Sequence, residues 1–125
     1  MKLVDTTIAV DHLRGAPAAT DLLARLIANG ETVVASEITR FELLAGVRKT
    51  ELETLEAFFS SLAWAPIDEE ITRAAGELAQ RLHRSHSGID DADYLIAATA
   101  IVLEAELLTT NVRHFPMMKA LRAPY

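Results

Sequence analysis

The chain has 125 residues, half of them hydrophobic, with few glycines or prolines, which excludes a disordered or low-complexity protein. Its formal net charge of −6 gives no general attraction for nucleic acid, so contact with RNA or DNA would need local cations or a bound metal. The chain has no cysteine, which excludes disulfides and thiolate metal sites, and its longest apolar run, residues 94–103, is too short for a membrane-spanning helix.

We expect a single cytoplasmic domain over residues 1–125. The apolar run at the N-terminus is interrupted by Asp5 too early for a signal peptide. No linker, internal repeat or block of like charge marks a domain boundary along the chain.

Short apolar segments alternate with helical patterns along the chain. Ser36 and Asp68 precede two of the helical patterns and are candidate N-caps. The patterns predict strands at 2–5, 32–35, within 63–68 and at 107–110, and helices from Thr6 and at 16–30, 37–47, 51–62, 69–85 and 90–104.

This alternation predicts an α/β domain of three layers, in which helices cover a short central parallel sheet on both faces. Ligands in such folds bind outside the carboxyl ends of the strands. Asp5 ends the first predicted strand and Thr110-Asn111 follows the last, so these positions are candidate site residues.

Two predicted helices show apolar faces that we expect to point inward. The first carries Ile38, Phe41, Leu44 and Ala45, and the second carries Leu52, Leu55, Phe58, Phe59 and Leu62. Phe58, Phe59, Leu62 and Trp64 should form mostly core, and part of this cluster is a candidate lining for a groove that receives a partner helix.

Each acid near the predicted site also has a purely structural explanation. Asp5 could cap the helix that begins at Thr6, and Glu42 could be an exposed helix residue. Asp93 could be the third residue of a helix capped by Asp90, where a carboxylate favours the helix dipole. The helix after Asp93 is apolar on all sides, however, so a buried carboxylate there needs a partner.

Three acids brought to one end of a sheet would repel each other and raise each other's pKa, and a divalent cation would remove that conflict. A site of oxygen ligands without cysteine favours Mg²⁺ or Mn²⁺ over Zn²⁺. Such an ion suits hydrolysis of a phosphate ester.

Four segments in this order resemble PIN-domain ribonucleases, specifically the VapC-type toxins of bacterial toxin–antitoxin pairs. The segments are "LVDTT" at residues 3–7, "SEITRFELLAG" at 36–46, "IDDADYLIAATA" at 89–100 and "LTTNVRHF" at 108–115. The resemblance implies metal-dependent endonucleolytic cleavage of RNA, a VapB-type antitoxin as partner, and a homodimer.

The resemblance also implies roles for individual residues. Asp5, Glu42 and Asp93 would form an acidic triad for Mg²⁺ or Mn²⁺, with Asp5 and Asp93 as metal ligands. Asn111 matches a fourth position that is often Asp in the family, which makes a second metal ion less favourable. Thr6 and Thr110 would donate hydrogen bonds from their hydroxyls to the acids or to the scissile phosphate.

Basic residues that flank the third and fourth segments are candidates for phosphate contacts, namely Arg84, Arg113 and His114. Two other classes of function stay open from the residues alone. A strand that ends in Asp also opens small-molecule phosphohydrolases, although Thr7 stands where dehalogenase-like phosphatases need a second Asp. A non-catalytic binding module that uses its acids only as helix caps is the other alternative.

Overall fold

The computed structural model describes all 125 residues and contains a four-stranded parallel sheet. The strand order is β3-β2-β1-β4, and Leu3 at the centre pairs in register with Val34 on one side and Leu107 on the other. The predicted α/β class with a parallel sheet is therefore confirmed. The strands are β1 (Lys2–Val4), β2 (Val33–Ser36), β3 (Ala63–Ala65) and β4 (Glu106–Leu108).

Six α-helices connect and cover the strands. Their bounds lie close to the predicted ones, although the fourth and fifth helices end three residues earlier than predicted, and short 3₁₀ helices occur at Lys49–Glu51 and Val112–His114. The helices are α1 (Thr6–Leu13), α2 (Pro17–Ala28), α3 (Glu37–Gly46), α4 (Leu52–Phe59), α5 (Glu69–Leu82) and α6 (Asp91–Leu103). None of them combines the length and apolar character needed to span a membrane.

Side chains cap the helices where the sequence predicts caps. Ser36 Oγ accepts a hydrogen bond from the backbone N–H of Ile38 at 3.1 Å, and Asp68 Oδ1 accepts one from that of Ile71 at 2.9 Å. These contacts satisfy donors that the first turn of a helix leaves free. They fix where α3 and α5 begin relative to the sheet.

The strands bury both of their faces, as expected for a parallel sheet covered by helices. Alternate residues of β1 point to opposite sides, with Leu3 in one apolar cluster and Val4 in another. The Leu3 cluster contains side chains of α5 and α6, and the Val4 cluster contains side chains of α1 and α2. The predicted three-layer arrangement follows from these two clusters.

The predicted inward face of α3 is wrong for all of its residues except Ile38, which packs against the core. Phe41 and Leu44 are 65% and 39% exposed, whereas Thr39 and Leu43 are buried. The helix is rotated so that the hydroxyl of Thr39 lies 3.0 Å from the hydroxyl of Thr6, a polar contact that hydrophobic periodicity does not register.

The fourth helix confirms most of its predicted face. Leu55 and Phe59 are buried, but Leu52, at the first residue of α4, is 42% exposed. Phe58 and Trp64 are half-buried against the core clusters, and the guanidinium of Arg40 lies 4.0 Å from the centre of the Trp64 ring. The aromatic cluster is therefore core, as predicted, and Arg40 covers its outer side.

Candidate active site

The candidate site lies where the strand order changes direction. From β1 the chain proceeds to β2 and β3 on one side, whereas β4 pairs with β1 on the other side. Asp5 follows β1 and Thr109 follows β4, so both lie at the carboxyl edge of adjacent parallel strands. This switch point is the place where open α/β sheets bind their ligands.

Asp5 occupies the N-cap position of α1, but its side chain does not cap the helix. Its carboxylate is buried, and Oδ2 accepts hydrogen bonds from Thr109 Oγ1 at 2.7 Å and Thr7 Oγ1 at 3.0 Å. Two neutral hydroxyls hold one oxygen in place and leave its negative charge uncompensated. The capping explanation for Asp5 is therefore wrong for its side chain.

Glu42 reaches the same site from α3. Its Oε1 accepts a hydrogen bond from Thr6 Oγ1 at 2.8 Å, which confirms the predicted contact between the Thr6 hydroxyl and an acid. Burial raises the pKa of Glu42, and the negative charges of Asp90 and Asp5 raise it further, while the hydrogen bond from Thr6 lowers it. Glu42 is therefore not a freely solvated helix residue.

Asp93 both caps the start of α6 and is a buried carboxylate, the two possibilities that the sequence allows. Asp90 Oδ1 accepts from the Asp93 N–H at 3.0 Å, and Asp93 Oδ2 accepts from the Asp90 N–H at 3.1 Å, which makes a capping box at the start of α6. Asp93 is nevertheless only 8% exposed. Burial raises its pKa to about 6, with a further contribution from Asp90 and Asp5 that the nearby His114 opposes.

His114 is the side chain that faces the buried carboxylate of Asp93. Its Nδ1 lies 3.0 Å from Asp93 Oδ2, and the residue comes from the 3₁₀ helix that follows β4. Because Nδ1 of His114 already faces the carboxylate, only the other ring nitrogen is available for the predicted contact with an RNA phosphate. The sequence shows a histidine shortly after the last strand, which indicates a residue near the site. It does not show that this histidine contacts Asp93, because that contact depends on how α6 packs beside β4.

Thr109, which the sequence reasoning missed, takes the contact expected of Thr110. Thr109 is fully buried and bonds Asp5, whereas the Thr110 hydroxyl makes no hydrogen bond in the structure. Neighbouring residues past a strand point to opposite sides, so only one of the two threonines can face Asp5. Asn111 lies at this edge too, and its backbone N–H donates to Thr109 Oγ1 at 2.9 Å.

The remaining predicted cations are exposed. Arg84 lies in the turn between α5 and α6, six residues before Asp90, and Arg113 lies in the 3₁₀ helix beside His114. Neither guanidinium forms an ion pair with an acid in the structure. Both are therefore free to contact an external anion.

The acids share an edge of the sheet, but in this conformation no group of three Asp, Glu or His side chains is close enough to bind one metal ion together. The structure therefore has no preformed site of three acids, and the assignment of Asp5 and Asp93 as metal ligands stays a prediction. The donor set still suits a hard cation. Oδ1 of Asp5, Oε2 of Glu42 and Oδ1 of Asp93 receive no hydrogen bond from the protein, whereas the other oxygen of each acid does. Mg²⁺ typically takes only one or two carboxylates directly and keeps several waters.

Comparisons with known proteins agree with this fold. The model of the PIN domain family matches residues 2–119. The chain is 67% identical to Ribonuclease VapC19 of Mycobacterium tuberculosis over 125 residues, which is the full length of both proteins.

Solved structures give the same result. A toxin–antitoxin complex from Klebsiella pneumoniae contains a chain that superposes with a TM-score of 0.81 at 26% identity, over 100% of this chain and 98% of that one. The crystal structure of VapBC2 from Rickettsia felis bound to a DNA fragment from their promoter contains a chain with a TM-score of 0.82 at 29% identity, over 98% and 96% of the two chains. The match to the family model over residues 2–119 and the 67% identity to a VapC ribonuclease over the full length show that the chain belongs to the PIN-domain family and, within it, to the VapC ribonucleases.

Proposed function

We propose that the chain is a metal-dependent endoribonuclease and the toxin of a toxin–antitoxin pair, with a VapB-type antitoxin as partner. The observation that carries this proposal is the cluster of Asp5, Glu42 and Asp93 at the switch point of the sheet, in a chain 67% identical to a named ribonuclease. The chains that superpose on it come from toxin–antitoxin complexes, which supports the partner. We further propose a single nuclease domain over residues 1–125 and a homodimer.

Enzymes of this family generally depend on a divalent metal ion, and we propose Mg²⁺ or Mn²⁺ for this chain. Asp5 and Asp93 would hold the ion through the oxygens that have no protein donor. When bound, a divalent ion would supply an activated water and neutralise charge that develops on the phosphate. Burial and, to a smaller extent, repulsion from Asp90 and Asp5 raise the pKa of Glu42 and Asp93, and a cation there would offset both effects on the ionised carboxylates.

The other residues of the site hold or orient these acids. Thr6 fixes Glu42, Thr109 fixes Asp5, and His114 holds Asp93. We propose that Asn111 lies next to the metal waters and that Thr110, whose hydroxyl is free, faces the scissile phosphate.

Arg84 and Arg113 would contact the phosphates that flank the cleaved bond, since neither is paired with an acid. Because the proposed substrate is cellular RNA, we place the activity in the cytoplasm.

The test compares the parent protein with Asp5→Asn and Asp93→Asn on purified RNA in the presence of Mg²⁺ or Mn²⁺. Each variant should lose at least about a hundredfold in cleavage rate, because each removes a negatively charged carboxylate that would hold the metal ion. Asp91→Asn is the matched control, since Asp91 is an exposed acid in the first turn of the same helix as Asp93. Cleavage by Asp5→Asn or Asp93→Asn at the parent rate would contradict the site assignment.

A further inference from the structure

Thr39 is a fully buried residue whose hydroxyl has one hydrogen-bond partner, Thr6. Thr39 lies on α3, three residues before Glu42, and is 0% exposed. Its Oγ1 lies 3.0 Å from Thr6 Oγ1, and the same Thr6 hydroxyl donates to Glu42 Oε1 at 2.8 Å. Side chains of α1 and α3 are therefore joined in a chain of hydrogen bonds that ends on an acid of the candidate site.

The direction of donation along this chain follows from the number of protons available. An ionised carboxylate only accepts hydrogen bonds, so while Glu42 is ionised the proton between Thr6 and Glu42 belongs to Thr6. A hydroxyl carries a single proton, so Thr6 has none left for Thr39. Thr39 is therefore the donor to Thr6, and Thr6 is the donor to Glu42.

The contact of Thr39 differs from that of other helix threonines in this protein. A threonine in a helix can donate to the backbone carbonyl one turn earlier in its own helix. Thr72 on α5 and Thr99 on α6 do so, at 2.8 Å and 2.7 Å. Thr39 makes no such bond and directs its hydroxyl to another helix instead. Local helix geometry therefore does not explain where this hydroxyl points.

We propose that Thr39 is a positioning residue for the acid Glu42 and that it acts through the hydroxyl of Thr6. The inference rests on the proposed nuclease function, in which Glu42 belongs to the acidic triad. A hydroxyl that accepts a hydrogen bond is polarised into a stronger donor, and its orientation is restricted. Glu42 Oε1 is thereby held in place, while Oε2, which receives no hydrogen bond from the protein, stays available to the site.

Two substitutions at Thr39 separate the hydroxyl from the volume of the side chain. Thr39→Val keeps the shape but cannot donate, so kcat for RNA cleavage should fall about tenfold with KM for RNA unchanged. Thr39→Ser keeps the hydroxyl and loses a buried methyl group, so it should melt at a lower temperature yet cleave within about twofold of the parent rate. The opposite order of cleavage rates would show that Thr39 acts only by packing.

Thr99→Val is the matched control. Thr99 is also 0% exposed and lies on a helix, and its hydroxyl donates to the carbonyl of Leu95 rather than to a residue of the site. Thr99→Val should therefore keep the parent cleavage rate. If it slowed cleavage as much as Thr39→Val does, the loss of any buried hydroxyl would have this effect, and the positioning role would be wrong.

A double-mutant cycle with Thr6→Val tests whether Thr39 acts through Thr6. If it does, Thr6→Val already removes the contact to Glu42, so the addition of Thr39→Val should change the cleavage rate by less than about twofold. If the two effects multiply, Thr6 and Thr39 act independently, and the proposed chain of hydrogen bonds does not carry the effect.

Crystal structures of the metal-free variants give a measurement that does not depend on activity. In Thr39→Val, Thr6 Oγ1 should lie more than about 3.5 Å from Glu42 Oε1, or Glu42 should occupy more than one rotamer. Thr39→Ser and Thr99→Val should retain the contact. An unchanged, single position of Glu42 in Thr39→Val would overturn the inference.

The outcomes separate this inference from the proposed function. If the parent does not cleave RNA with Mg²⁺ or Mn²⁺ present, the nuclease proposal fails, and the role of Thr39 in cleavage fails with it. If the parent cleaves RNA and Thr39→Val cleaves it at the same rate, only the role of Thr39 is wrong.

Discussion

Replacement of Asp93 by Asn should change how the stability of the protein depends on pH. The carboxyl of Asp93 is 8% exposed, and its pKa is raised from 3.8 to about 6, chiefly by burial. The difference between these two values corresponds to roughly 3 kcal/mol. The folded protein carries this cost whenever Asp93 is ionised and no cation is bound.

The sign follows from proton binding. Between about pH 4 and pH 6 the folded state holds the Asp93 proton more tightly than the unfolded state does, so stability falls as pH rises through this range. The cost is absent below the unfolded pKa and complete above the folded one. Asn has no such titration and still offers an oxygen to the N–H of Asp90. Relative to the parent, Asp93→Asn should therefore gain roughly 3 kcal/mol of unfolding free energy between about pH 4 and about pH 7.

The assay is urea unfolding of both proteins at several pH values with a chelator present. Because the prediction concerns the change with pH, packing and hydrogen-bond effects that do not depend on pH cancel. Asp91→Asn controls for the loss of an exposed acid from the same helix turn. If the parent and Asp93→Asn gave parallel curves across this range, burial would not be disfavouring the ionised carboxyl, and the electrostatic argument for a cation site would lose its main support.

Three further predictions concern single side chains. Thr109→Val should lower the unfolding free energy by about 1–3 kcal/mol and slow RNA cleavage, because it removes a buried hydrogen bond to a carboxylate. Thr110→Val should change the unfolding free energy by less than about 0.5 kcal/mol. If denaturant melts and cleavage assays showed equal effects for the two variants, the assignment of Thr109 as the partner of Asp5 would be contradicted. Tyr94→Phe should keep or raise stability by up to about 1 kcal/mol, since the buried Tyr94 hydroxyl has no hydrogen-bond partner; a loss above about 1 kcal/mol would reveal a partner such as a buried water. Leu55→Ala should cost about 2–5 kcal/mol and Leu52→Ala less than about 1 kcal/mol; calorimetry that gave the reverse order would show that α4 packs on the other face.

Several features of the fold could be predicted from local patterns. Apolar runs bounded by caps and turns located the strands and helices to within a few residues, since both the hydrophobic period and the capping groups are local properties. Because all strands of a parallel sheet end at one edge, the positions of Asp5 and Asn111 after strands already indicated a shared edge. The structure confirms that edge for Asp5 and for Thr109 next to Asn111.

The orientation of α3 could not be predicted in this way. Periodicity gives the spacing of apolar residues along a helix, but it does not say which of two possible faces packs inward. The sequence favoured Phe41 and Leu44, and the structure buries Thr39 and Leu43 instead. The deciding contacts, Thr6 with Thr39 and Thr6 with Glu42, join residues more than thirty positions apart.

The sequence by itself determined the class of the fold, the order of its elements and the position of Asp5 at the carboxyl edge of the sheet, because these depend on local pattern and on strand direction. Only the tertiary structure decided that Thr109 and not Thr110 holds Asp5, that His114 faces Asp93, and that no three acids lie within reach of a single metal ion in this conformation. The physical reason is that burial, hydrogen-bond partners and charge repulsion are properties of groups brought together from distant parts of the chain, and they take their values only once the helices have packed against the sheet.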